Sequence, residues 1–295
     1  MKIRRSPGEY IFDTFNVLFL LLLVLVTLYP LLYVVFVSFS VPADYMRFGG
    51  QLLWRPLGFS LSSYKVVFKN PNIWSGYINT IFIVVVGLVF NMVFTILGAY
   101  VLSRRQLMLR RFLSLFTLFT MYFSGGLIPT YLNVRNLGLA GSLWALIIPV
   151  SINTFNLIIM RTAFESIPES MEESAKIDGA PQIVILVRIM APLVIPTMAV
   201  LVLYYGVEHW NSWFQALIYI RKRELYPLQL ILREMIIQGS SAMTMSLSSS
   251  GDDEAFISET IKYSTIVVAT LPILILYPFL QRFFVKGIMV GAVKG

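Results

Sequence analysis

The feature that most limits what this chain can become is a series of long, charge-free apolar runs. They cover residues 14–43, 70–103, 112–134, 136–160, 189–207 and 263–281. A helix rises 1.5 Å per residue, so about 20 apolar residues cross the hydrocarbon core of a bilayer. Each run reaches or nearly reaches that length. In lipid every backbone polar group needs a partner within the protein, and a helix supplies it internally. Composition agrees, because only 13% of the 295 residues are charged, against about a quarter in soluble domains. The expected fold is all-α integral membrane, with six transmembrane helices at about 14–40, 77–102, 112–133, 142–162, 192–218 and 263–283. The first run follows Lys2, Arg4 and Arg5, yet it far exceeds a signal-peptide core and no small-x-small site closes it. It reads as a retained helix.

Several chemistries drop out at once. With no cysteine there is no disulfide, thiolate metal site or cysteine nucleophile. A lone histidine, His209, excludes a two-imidazole zinc site. The net charge of +8 fits topology and anionic headgroups rather than nucleic acid, since no basic soluble domain accompanies it.

The basic residues also orient the chain. Lys2, Arg4 and Arg5, then Arg104, Arg105, Arg110 and Arg111, then Arg282, Lys286 and Lys294 fall on one side, against Arg135 in the next short loop. The positive-inside rule makes that side, with both termini, cytoplasmic. Arg221, Lys222 and Arg223 oppose it, but they begin the long outer loop 221–262, and long loops constrain topology weakly. Residues 1–295 form a single transmembrane domain without internal repeat, and 165–191 is a cytoplasmic loop.

That loop is chemically distinct. Glu165, Glu169, Glu172, Glu173 and Asp178 crowd into a chain otherwise poor in acid. Ser166 with Glu169 reads as a capping box, and Ile167, Met171 and Ala175 recur at helical spacing. Asp178-Gly179 stops the helix. A second helix follows through 182–190, and Pro192 opens the fifth span. The unit is a helix, a sharp turn and a helix beside the membrane.

Its residue order resembles a known family. Glu173-Ser174-Ala175, Gly179, Ile189 and Pro192 match the E-A-A-x3-G-x9-I-x-L-P signature of permease subunits of bacterial ATP-binding-cassette (ABC) importers. Ser174 replaces the middle Ala and Ala191 replaces Leu. Lys176-Ile177-Asp178-Gly179-Ala180 is similar to the extended form in carbohydrate importers of the maltose-permease-like superfamily. Elsewhere Tyr29-Pro30, Gly98-Ala99-Tyr100, Gly126 to Tyr131 and Asn136 to Leu139 resemble sugar permeases. Glu208 to Trp213 and Tyr226-Pro227-Leu228 look most like the branch importing oligosaccharides and polysaccharides, including alginate-type systems.

The resemblance implies a type I importer permease fold whose 165–191 segment is the coupling (EAA) loop. It implies a second, homologous permease in a heterodimer, two ATPase subunits, a solute-binding protein and a saccharide substrate, in the bacterial cytoplasmic membrane. ATP and Mg would bind on the ATPases and no cofactor on this chain, which lacks a phosphate loop and is not expected to be an enzyme. Met171, Glu173, Ser174, Ala175, Asp178 and Gly179 would meet the ATPase.

For the substrate path, polar groups inside apolar spans are the candidates, because they are costly in lipid. They are Asn79, Asn91, Asn153 and Asn156, with Trp210, Asn211 and Trp213 as surfaces for sugar rings. Asn can equally glue helices together, and Trp can belong to an interfacial belt. A secondary transporter or channel for small polar solutes is the alternative, disfavoured because the six runs hold no ionisable residue of the kind ion-coupled carriers use. In the outer loop, the Ser/Gly/Met-rich stretch 239–251 is expected to be a flexible element reaching the binding protein, and 226–233 is apolar enough to pack.

Overall fold

The computed structural model describes residues 7–246, 260–275 and 278. Among them all regular structure is helical. In chain order the helices are α1 (Pro7–Ser38), α2 (Pro42–Phe48), α3 (Ser62–Lys69), α4 (Pro71–Ser103), α5 (Arg110–Tyr122), α6 (Leu127–Asn136), α7 (Thr154–Glu165), α8 (Glu169–Ile177), α9 (Gln182–Leu193), α10 (Ile195–Trp210), α11 (Trp213–Tyr219), α12 (Leu228–Ser246) and α13 (Thr260–Ile275). Two compact units divide them, one holding residues 1–70 and 234–270, the other 71–233 and 271–295.

Two helices, α1 and α4, are each long and apolar enough to cross a membrane alone. Among the described residues, three more crossings are available as bent pairs: α5 with α6 (113°), Leu143–Val150 with α7 (46°), and α9 with α10 (85°). Each bend has a local cause. Between α5 and α6 the chain passes Gly125-Gly126, and Gly126 takes φ +84°. Before α7, Pro149 sits in a 3-10 turn, and Ser151 to Asn153 are not helical. In α9 to α10, Pro192 and Pro196 each lack the N–H that would reach back one turn. The helix relaxes into a π segment at Ile185–Met190 and breaks at Val194 (φ −106°, ψ 13°). The break therefore falls two residues after Pro192, where the sequence suggested that the span opens.

The unit built from 1–70 and 234–270 is joined by hydroxyls. The Tyr45 hydroxyl lies 3.1 Å from those of Tyr33 and Tyr263, and Ser63 meets Thr260 at 2.7 Å. From Pro7 to Phe36, α1 carries an almost fully exposed apolar surface, with burial reaching only Val37 and Ser38. In the other unit α4 is the central element and packs most extensively on α7 and α10. The stretch 226–233 packs as its composition suggests, with Leu228, Leu230, Ile231 and Leu232 buried. Residues 239–246, expected as flexible, continue helix α12. Ser, Met and Ala are tolerable helix formers, and α12 brings its direction from the well-packed turn before them. Residues 247–251 lie outside the described residues.

Candidate functional site

Helix α8 is set at a corner. Ser166 is still in helical conformation at the end of α7, and its hydroxyl donates to Ala163 O at 2.8 Å. It is therefore not free to cap α8, and the capping box suggested by the sequence does not form. Pro168 takes the N-cap position with extended backbone (φ −57°, ψ 134°). Glu169 and Glu172 occupy the first turn, where a negative charge complements the helix dipole. At the other end Gly179 has φ +76°. Its N–H donates to Lys176 O and that of Ala180 to Ala175 O, both at 3.0 Å. This is the paired-bond helix stop that a glycine allows without steric cost.

One face of α8 is fastened to the rest of its unit. Ala175 is buried in a cluster with Tyr100, Met160, Phe164, Ile185 and Met190. Glu172, 6% exposed, pairs with Arg104 and, at 2.9 Å, with Lys176. Arg104 also lies over the Tyr100 ring at 4.5 Å, while the Tyr100 hydroxyl donates to Gln182 Oε1 at 2.6 Å. Burial pulls the Arg104 guanidinium down from its ordinary value, and Tyr100, Glu169 and Glu165 push it back. Arg105 reaches Glu169 at 2.8 Å, and Arg110 and Arg161 converge on Glu165 at 2.5 and 2.8 Å. Three arginines that the sequence offered as topology markers thus hold the acidic loop in place. A cleft of about 1030 Å³ opens among these groups, lined by Arg104, Arg105, Glu173 and Lys176.

The rest of α8 is bare. Met171, Glu173, Ser174, Asp178 and Gly179 are exposed, and Ile177 is 86% exposed. No ion pair occupies Glu173 or Asp178 among the described residues. Of the six residues expected to meet an ATPase, only Ala175 points inward. Met171 does not share the burial of Ala175, so the apolar stripe is shorter than its spacing implied.

Among the polar candidates within the apolar helices, the side chains of Asn79, Asn91, Asn153 and Asn211 have protein partners. Asn79 donates to Glu224 O and Tyr226 O at 2.8 and 3.1 Å, clamping the turn before α12. Asn153 is the N-cap of α7, accepting from the N–H groups of Phe155 and Asn156. Its own N–H donates to the Tyr205 hydroxyl, which lies 2.8 Å from Thr95 Oγ1. Asn156 is buried. Trp210 is buried and faces the Tyr77 ring at 6.4 Å, and Trp213 lies under the Arg233 guanidinium at 4.3 Å. Asn211 is exposed and returns a bond to Val207 O at 3.0 Å.

Asn91 makes the tightest of these contacts. Its Nδ2 donates to Val150 O at 2.7 Å, which turns Oδ1 towards His209 Nε2, 2.6 Å away. An amide oxygen only accepts, so His209 carries its proton on Nε2. The ring rests against Gly87, where a β-carbon would stand 2.4 Å from Nε2. His209 is a packed joint between α4 and α10.

Comparison with known proteins decides the family. The chain is 40% identical over 285 residues to the polygalacturonan/rhamnogalacturonan transport system permease protein YtcP of Bacillus subtilis, covering 97% of this chain and 99% of that one. It is 42% identical to protein LplC of the same organism, over 97% and 95%. The crystal structure of a bacterial ABC transporter involved in the import of the acidic polysaccharide alginate contains a chain that superposes with a TM-score of 0.85. That match has 33% identity and covers 96% of this chain and all of the other. This chain belongs to the permease family of sugar ABC transporters. No protein-family model matches it.

Two residues of this permease escaped the sequence reading. Glu172 sits three residues before Ala175 and shares its inward face, so the helical period could have marked it as the anchor and Glu173 as the free acid. Gly87 lies in an apolar run, where nothing in the local sequence marks it as facing the one histidine.

Proposed function

We propose that this permease is the membrane-spanning subunit of an ATP-driven importer that translocates an oligosaccharide or polysaccharide delivered by a solute-binding protein. Six crossings, assembled from α1, α4, the three bent pairs and α13, put both termini and α8 in the cytoplasm. A homologous permease pairs with it, and two ATPase subunits lie beneath, holding ATP and Mg. Met171, Glu173, Ser174, Ala175, Asp178 and Gly179 form the coupling element, and the Asn and Trp residues above line or brace the path.

The observation that carries this reading is the two-sidedness of α8. A short hydrogen-bonded helix, ended by Gly179 and latched by Glu172 to Arg104, presents Glu173, Ser174, Ile177 and Asp178 to a partner. Such a unit transmits motion as a rigid knob and cannot flex away under load.

The absence of native cysteine makes thiol labelling of this chain free of background. Ser174→Cys, placed in the assembled transporter, is expected to cross-link to an ATPase subunit and to react with thiol reagents from the cytoplasmic side only. Lys222→Cys is expected to react from the outer side only. Labelling of both from one side, or a Ser174→Cys that cross-links to no ATPase, contradicts the proposal.

A further inference from the structure

At the end of α4 opposite α8, the permease has a small built pocket that nothing above uses. It measures about 280 Å³ and is lined by Tyr131, Arg135, Gly141, Tyr219 and Arg221, among others. Its walls come from α6, the turn after it and the end of α11, tied by the Gly141 N–H donating to Tyr219 O at 2.8 Å. The Tyr131 and Tyr219 rings are parallel within 3°, with centroids 6.1 Å apart. Every polar side chain in the lining is a guanidinium or a phenol, and no carboxylate or amide is among them. Both arginines are exposed, and neither has an ion pair among the described residues.

This donor set has one chemical preference. A guanidinium offers a planar fork that meets a carboxylate through two parallel bonds, and two of them here have no internal acid to satisfy. Tyrosine adds an apolar ring face and a hydroxyl, which suit a pyranose ring and its hydroxyls. Ligand sites span about 300–1,000 Å³, so this one, just below that range, holds a sugar residue or so rather than a long chain.

We propose that this pocket is a recognition subsite for a uronic-acid residue, engaging the carboxylate of an acidic saccharide through Arg135 and Arg221 as it enters the permease. The assignment rests on the saccharide-importer reading and narrows it to acidic substrates at this point of entry. Arg135 and Arg221 are specificity residues, while the tyrosine pair fixes the pocket's shape.

The test uses the full transporter in phosphatidylcholine nanodiscs, without its binding protein. Two probes are compared: trigalacturonate, and the same trisaccharide with its carboxylates reduced to alcohols. Trigalacturonate is expected to bind, more weakly as salt is raised, while the reduced form binds at least about tenfold less tightly. Arg135→Gln with Arg221→Gln is expected to erase that difference and leave the reduced form unchanged. The double Lys variant, keeping charge without the fork, should retain part of it. No binding by the wild type, equal binding of both probes, or unchanged trigalacturonate affinity in the Gln variant overturns the assignment. So does a Gln variant that keeps trigalacturonate but loses affinity for the unloaded binding protein, which would make the pocket a docking socket. The importer reading is judged separately by ATP-driven uptake, so a working importer whose Gln variant binds trigalacturonate normally loses only the pocket.

Discussion

Gly87→Ala is expected to lower the thermal midpoint and membrane yield of this permease markedly. The new β-carbon would stand 2.4, 2.7 and 2.9 Å from three atoms of the His209 ring. Side chains give way when they are flexible and exposed, but His209 is 2% exposed and fastened to Asn91. Helix α4 must then move from α10, opening the interface that organises its unit. Overpacking costs about 1–3 kcal/mol in a typical core, and contact with three ring atoms puts this site at the upper end or beyond. His209→Ala in the Gly87→Ala background should restore part of the loss, because the clashing ring is gone. The two changes should be strongly non-additive, as expected of residues in contact. Wild-type stability of Gly87→Ala, or additive loss in the double variant, would refute the close approach.

Glu172→Leu should uncouple hydrolysis from transport while the protein still inserts. It strips Arg104 and Lys176 of their shared carboxylate beside a buried cluster. Breaking such a pair leaves a partly buried guanidinium uncompensated, at about 2–3 kcal/mol. The loss falls locally, on the latch between α8 and the α4–α5 turn, and so appears as mechanical slip. Transport per ATP hydrolysed should fall several-fold with basal hydrolysis preserved. Glu172→Gln, which keeps the shape, should lie between. Glu173→Leu, on the exposed face, should instead weaken ATPase association without lowering thermal stability. Identical behaviour of Glu172→Leu and Glu173→Leu would remove the distinction between anchor and contact.

What could be read from the sequence, and what could not, follows from the range of each interaction. The helical character and the stop at Gly179 depend on neighbours in the chain, so residue order carries them. The capping box at Ser166 also has the right local order, but the end of α7 already holds that hydroxyl, and Pro168 takes the corner. Apolar composition marks a span without showing its breaks. The third run bends by 113° at Gly126 and the fifth by 85° at Val194, within uninterrupted hydropathy. The asparagines show the limit most clearly. Asn79 and Asn91 find carbonyls 145 and 59 residues away in sequence, and Asn153 serves its own helix as a cap. Residue type alone does not separate these roles from contact with a substrate.

The central claim is that motion passes from an ATPase through α8 to a saccharide path. Its most direct test is uptake of a labelled saccharide into proteoliposomes holding this permease, its partner subunits and the loaded binding protein. The expected result is accumulation that requires ATP, persists when ion gradients are collapsed, and disappears on deletion of residues 169–175 while basal hydrolysis continues. Accumulation driven by an ion gradient without ATP, or full ATP-driven uptake after that deletion, would contradict the account.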